Sequence, residues 1–224
     1  PTRLECMMQD FPTVISAEKS ERVGFTSIAA EMCFSPVKNA TADGVVLQGK
    51  GTAAGTAATG EADHYQAYRK ILQSIGCQVE EAEPETYKGI SVIPGPQVVV
   101  YPEFASCPGE YKAKFPTPEK VKISPKSTLI IRGPNVTINS LDLDGTLIID
   151  VPAHLEVSIE DLEIKNDGWH KIAVDDDEAK EIIKMRGYKM ERKKQAVIKK
   201  QRDVVKAAGG ADGEWWDVSD CAIL

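Results

Sequence analysis

The sequence predicts an α/β protein, and three patterns carry that reading. Tyr65, Tyr68, Ile71, Leu72 and Ile75 recur at helical spacing within residues 61–75, the apolar stripe of an amphipathic helix. Short β-rich stretches punctuated by Gly- or Pro-containing turns recur through residues 121–165. Between the two lie isolated strand-like runs at residues 77–79, 91–93 and 98–101.

In chain order, residues 3–10 read as a strand or strand edge that ends at Asp10-Phe11-Pro12, and residues 16–21 as a polar loop. Residues 22–25 lead into the apolar run 29–34, after which Pro36 restricts the backbone of Ser35. From Asp43 to Gly60 five glycines alternate with Ala and Thr, the composition of a flexible surface loop. The helix over 61–75 takes Thr59 as its N-cap and Gly76 as its C-cap. Six prolines from Pro94 to Pro118 mark a connector rather than a regular element. Over 121–165 the repeated short strands, with alternation clear at 141–143 and 155–159, predict a small all-β unit. Stacked coils of a β-helix and the edge of a sandwich fit that pattern equally. The chain ends in a basic tail, with eleven Lys/Arg against three acidic residues between Lys180 and Lys206 and helical composition at 178–185 and 190–205.

A chain of 224 residues holds one large or two small domains, and 42% hydrophobic with 27% charged residues is an ordinary globular composition. A net charge of −7 argues against a general nucleic-acid binder, and the tail's basic run, without interleaved aromatics, reads as a solvated helix face. No apolar run reaches the ~20 residues of a membrane span. The five cysteines are scattered and form no CxxC pair or Cys/His cluster, so no metal site is expected and the thiols read as reduced and cytoplasmic. The chain opens on Pro1-Thr2 without an initiator Met, and is expected to be the back part of a longer protein.

The motifs of several enzyme classes are absent: there is no nucleophile elbow, no GxxxxGK[ST] loop and no GxGxxG after a strand. His64, His154 and His170 stand far apart in sequence. Lys38 is different. It follows a Phe-Ser-Pro-Val turn, and a lysine on a proline-stiffened loop can serve as a point cation with three donors for a phosphate. Asn39 adds an amide able to bond a sugar or phosphate oxygen. By spacing alone, an ordinary exposed turn lysine fits as well.

The segments PTRLECMMQDFP (1–12) and VGFTSIAAEMCFSPVKNATADG (23–44) resemble the later catalytic region of UDP-sugar pyrophosphorylases. The resemblance continues through TGEADHYQAYRKILQSIG (59–76), SLDLDGTLIID (140–150), IKNDGWH (164–170) and EIIKMRGYKM (181–190), and so covers nearly the whole chain. FSPVKNA is also similar to a motif of UDP-N-acetylglucosamine pyrophosphorylases, and a related Pro-x-Lys occurs in UDP-glucose pyrophosphorylases.

The resemblance implies a division into the C-terminal portion of a Rossmann-like, mixed-sheet nucleotidyltransferase domain (1–115), a small β-helix-like domain (116–170) and a basic helical tail (171–224). It implies a reaction in which UTP and a sugar 1-phosphate give a UDP-sugar and pyrophosphate, with Mg²⁺ bound alongside UTP through ligands outside this chain. Lys38 is then the catalytic residue that contacts the sugar's phosphate, with Asn39, Arg3 and Glu5 as further substrate-binding residues. The family's Gly-rich nucleotide loop has no match here, so the chain alone is expected to be inactive. The alternatives are a UDP-N-acetylglucosamine pyrophosphorylase, disfavoured by LECMMQD and IKNDGWH, and a non-catalytic β-helix oligomerisation module.

Overall fold

A computed structural model describes residues 8–174 and 180–199. Three single-turn helices come first, α1 (Phe11–Val14), α2 (Ala17–Ser20) and α3 (Ala30–Cys33), then α4 (Thr41–Gly49) and the long α5 (Ala57–Ile75). Strands β1 (Gln78–Val79), β2 (Glu85–Tyr87), β3 (Ile90–Val92) and β4 (Gln97–Val100) lead to α6 (Pro108–Lys114). Seven short strands follow: β5 (Val121–Ile123), β6 (Thr128–Arg132), β7 (Val136–Ile138), β8 (Leu141–Asp144), β9 (Thr146–Asp150), β10 (Val157–Ile159) and β11 (Leu162–Lys165). The described chain closes with β12 (Trp169–Ala173), α7 (Glu181–Arg186), β13 (Tyr188–Arg192) and β14 (Ala196–Ile198).

The strands from β5 to β11 visit three parallel ladders in rotation. One ladder runs β1-β5-β8-β11, a second β4-β6-β9-β14, and a third pairs β7 with β10. Register stacks like on like: Val121, Leu141 and Leu162 form one row, Ile123, Leu143 and Ile164 the next. Leu129 lies beside Leu147, Ile131 beside Ile149, Val136 beside Val157 and Ile138 beside Ile159. All of these side chains are buried in one core. Period-two alternation selects them: Lys122, Asp142 and Glu163, on the opposite face of the first ladder, are exposed. Strands β4, β6 and β9 are buried on both faces, because Val99, Ile130 and Ile148 point away from that core into a cluster with Tyr65. Doubly buried parallel strands read as unbroken apolar runs, which is the sequence of Val98-Val99-Val100.

Helix α5 joins these layers. Leu72 enters the strand core, Tyr65 the cluster on the outer face of β4-β6-β9, and Ala58 and Ala62 a third cluster with Tyr87, Ile90, Val92 and Tyr188. The expected stripe is borne out: Tyr65 and Leu72 are buried, and Tyr68, Ile71 and Ile75 pack against the main core. Gly76 ends the helix in the left-handed conformation, as expected.

Several expectations are corrected. Residues 41–49 are helical, not loop, and α5 starts at Ala57 rather than 61. The N-cap is Thr56, with Thr59 at the third helical position closing a capping box: the Thr59 hydroxyl accepts from the Thr56 amide at 2.9 Å. Helix α6 interrupts the proline-rich connector. Pro108 occupies its first turn, where the missing N–H costs nothing, and Tyr111 enters the core beside Phe104 and Phe115. The basic tail is not helical throughout: 188–192 and 196–198 are strands, because Tyr188 packs on Tyr87 and the 196–198 run lies parallel to β9. Tertiary pairing outweighs helix propensity there. Of the residues read as a strand over 3–10, residues 8–10 form a 3₁₀ turn and 1–7 lie outside the described residues.

The stacked rows set a test. Leu143 sits between Ile123 and Ile164 with no exposure. Leu143→Ala is expected to lower the unfolding free energy by about 2–5 kcal/mol in urea melts, whereas Asp142→Ala on the exposed face should change it by no more than about 0.5 kcal/mol.

Candidate functional site

The loop bearing Lys38 is fastened to the turn that precedes α5. The backbone amides of Lys38 and Asn39 both donate to the Gly55 carbonyl, at 2.9 and 3.0 Å. The Asn39 side-chain amide donates to the Ala54 carbonyl at 2.8 Å. Gly55 makes the contact possible: its φ is +59°, and an added Cβ would lie 3.0 Å from Asn39 Nδ2 and 3.2 Å from the Pro36 carbonyl oxygen. Gly60, in the first turn of α5, has no room for a Cβ either, because Val37 lies against it. Ser35 completes the attachment by donating to Asp63 Oδ2 at 2.5 Å. Among the glycines read as flexible, Gly55 and Gly60 are close-approach points.

This clamp forms one wall of a cleft of about 420 Å³. The exposed Lys38 and half-buried Asn39 line it, with Thr59, Ala62, Asp63, Gln66 and Arg69 along one face of α5. The opposite wall is Gln48 of α4 and Ser91–Ile93, joined through Gln48: its amide donates to the Ser91 carbonyl at 2.9 Å and its carbonyl accepts from the Ser91 amide at 2.8 Å. The Lys38 ammonium lies 6.0 Å from the Phe34 ring centre, at the outer limit of a cation–π contact. The cleft thus offers a solvated cation at its mouth, and hydroxyl, amide and carboxylate groups within.

At its inner end Arg69 has no solvent exposure. Its Nε meets Glu81 at 3.2 Å and its Nη1 donates to the Pro96 carbonyl at 3.1 Å. Burial pulls its pKa down, opposed by Glu81.

Behind the first turns of α5 lies a second charged group. Glu61 accepts from the Tyr65 hydroxyl at 2.7 Å and pairs with Arg186 Nη1 at 3.3 Å. Lys171 sits over the Tyr188 and Tyr65 rings, 4.7 and 5.5 Å from their centres, and donates to the Pro94 carbonyl at 2.9 Å. Thr41 Oγ1, just beyond the Lys38 loop, donates to the Met185 carbonyl at 3.3 Å. These contacts tie the chain around α7 to the helix and loop that frame the cleft.

Of the residues singled out by sequence, Lys38 and Asn39 come together at the cleft. Arg3 and Glu5 lie outside the described residues. Sequence reasoning did not single out Asp63, Gln66, Arg69, Gln48 or Ser91. Thr59, Ala62, Gln66 and Arg69 do recur at helical spacing, but the apolar stripe beside them gives no sign that a loop 20 to 30 residues earlier covers that face.

No family model matches the chain. It is 36% identical over 196 residues to UDP-sugar pyrophosphorylases of Oryza sativa (subspecies indica and japonica) and Arabidopsis thaliana. Over most of its length this chain matches UDP-sugar pyrophosphorylases. The match takes in 87% of the chain and 31% of each relative, so the chain spans about a third of the length of these UDP-sugar pyrophosphorylases. No helix among the described residues is long and apolar enough to cross a membrane.

Two outcomes follow from this geometry. Asn39→Ala removes one buried-side clamp and is expected to cost about 1–2 kcal/mol of stability, with Lys38→Ala near zero in the same melts. Burial pushes the Lys171 pKa down from 10.5 to about 8. Between pH 8 and 10.5 the unfolded chain therefore binds more protons, and stability rises with pH, by up to about 1 kcal/mol per pH unit. Subtracting the pH profile of Lys171→Met should isolate that rise, since the tyrosines and Cys77 are common to both proteins.

Proposed function

We propose that this chain supplies the sugar-phosphate side of the active site of a UTP:sugar-1-phosphate uridylyltransferase. The observation that carries the proposal is Lys38, exposed at the mouth of a polar cleft on a loop held by three hydrogen bonds to the turn before α5. The names of the relatives support UTP, sugar 1-phosphates, UDP-sugars and pyrophosphate as substrates and products. In the proposed reaction a phosphate oxygen of the sugar 1-phosphate attacks the α-phosphorus of UTP and pyrophosphate leaves. Such transfers gain from positioning and from neutralising phosphate charge. The Lys38 ammonium would hold the sugar's phosphate, and the groups along α5 have the donors and acceptors that sugar hydroxyls need.

Asn39 takes a narrower role in this proposal: its amide already serves Ala54, so it sets the position of Lys38 before it meets any substrate. In this proposal no Mg²⁺ ligand is drawn from the described residues. They gather no group of three or more His, Cys, Asp and Glu side chains, and the one carboxylate lining the cleft, Asp63, accepts from Ser35. The metal in this proposal arrives with the nucleotide. We further take β5–β11 as a β-helix-like unit, on the rotation of consecutive strands through three parallel ladders. A cytoplasmic setting fits the free thiols of Cys33, Cys77 and Cys107.

In the full-length protein that carries this sequence, Lys38→Ala should lower the rate of pyrophosphate release from UTP and glucose 1-phosphate by about a hundredfold or more, with an unchanged melting temperature. Unchanged turnover would remove Lys38 from the reaction.

A further inference from the structure

Several of the polar side chains that line the cleft are engaged with the protein itself. Asn39 serves Ala54, Gln48 serves Ser91, and Thr59 closes the capping box. Arg69 meets Glu81 and Pro96 and has no solvent exposure. Two groups one turn apart on α5 are not spent in this way. Asp63 accepts from Ser35 through Oδ2, and among the described residues its Oδ1 has no hydrogen-bond partner. The side-chain amide of Gln66 has none either. Both residues are half-buried and line the cleft, and these unpartnered atoms keep surface open to solvent. Three residues apart, they share one face of the helix.

The chemistry of the pair selects a neutral partner. A carboxylate oxygen only accepts, and an amide both donates and accepts. The Ser35 hydroxyl fixes the carboxylate, so Oδ1 is in place before a ligand arrives. A phosphate brought against Asp63 would meet like charge. Arg69, on which Asp63 acts, offsets part of that charge but has no exposure through which to bond the ligand itself. A sugar hydroxyl, which can donate to Asp63 and accept from Gln66, meets no such repulsion.

We propose that Asp63 and Gln66 are the hydroxyl-reading residues of this cleft, holding the sugar ring while Lys38 holds the phosphate. This assignment rests on the sugar-phosphate reading of the cleft and fixes which end of the ligand lies where.

The test titrates the 224-residue chain calorimetrically with glucose 1-phosphate and with inorganic phosphate. The ratio of the two affinities isolates what the sugar adds. Gln66→Ala is expected to lower that ratio about fivefold, by weakening glucose 1-phosphate and leaving phosphate unmoved. Asp63→Asn keeps an acceptor for Ser35 but removes the charge. It should also lower the ratio about fivefold, with phosphate bound at least as tightly as by the wild type. Lys38→Ala should weaken both probes and keep the ratio. Thermal melts establish that each variant is folded, and Gln66→Ala decides alone if Asp63→Asn is not. An unmoved ratio in a folded variant overturns the role of that residue. Equal wild-type affinity for the two probes overturns the whole assignment and leaves Lys38 its phosphate. A wild-type chain that binds neither probe overturns both. Lowered ratios in the α5 variants, with phosphate binding untouched by Lys38→Ala, uphold Asp63 and Gln66 and sink the role of Lys38.

Discussion

The spacing of buried residues along α5 is the constraint on which the rest of the structure depends. Ala58, Ala62, Tyr65, Arg69 and Leu72 fall along its buried side, and they serve different neighbours. Leu72 belongs to the core of the stacked strands, Tyr65 to the cluster over β4, β6 and β9, and the two alanines to the cluster with the β2–β3 hairpin. Arg69 ties the same helix to Glu81 and Pro96. Burial of that many apolar groups outweighs the weak propensity of a helix that begins Ala-Ala-Thr-Gly. The cleft is consequently built on the best-anchored element of the molecule, although the loop carrying Lys38 has few buried apolar contacts of its own.

What attaches that loop is backbone chemistry more than side-chain packing. One carbonyl, that of Gly55, accepts from two successive amides, and Asn39 closes the arrangement onto Ala54. A carbonyl oxygen has two lone pairs, so the double acceptance is fully within its capacity. The price is that residues 55 and 60 must lack side chains. The position of the catalytic candidate is thus encoded in glycines well downstream of it.

That explains what was legible in the sequence and what was not. The stripe at Tyr65, Leu72 and their neighbours announced α5, and the alternation at 141–143 and 155–159 announced strands, because periodic burial leaves a periodic trace. The function of Gly55 and Gly60 was not legible: glycine used for flexibility and glycine used for close approach have the same composition. Helix α4 was hidden by the same ambiguity, since Gly44 looks like a breaker yet packs its bare Cα against Thr56, Ala54 and Ile90. The strand at 188–192 was masked by its own Lys189 and Arg192, and that at 196–198 by the lysines on either side of it, which report solvent exposure and not backbone pairing. Lys38 was visible as a motif, Asn39 as its neighbour, and Arg69 only as one more charge on a helix.

Strand β14 carries a consequence for how the molecule is made. Its residues Ala196–Ile198 complete a sheet by lying beside Leu147–Ile149, and β4, at the far side of that sheet, comes from before residue 101. Parallel pairing across such separations cannot be seeded by a tight turn, and contacts distant along the chain slow folding. During synthesis the β4, β6 and β9 strands leave the ribosome well before their last neighbour does. Until it arrives, β9 presents an unpaired row of amides and carbonyls, and the interval between the two is a window in which another strand could take the vacant edge.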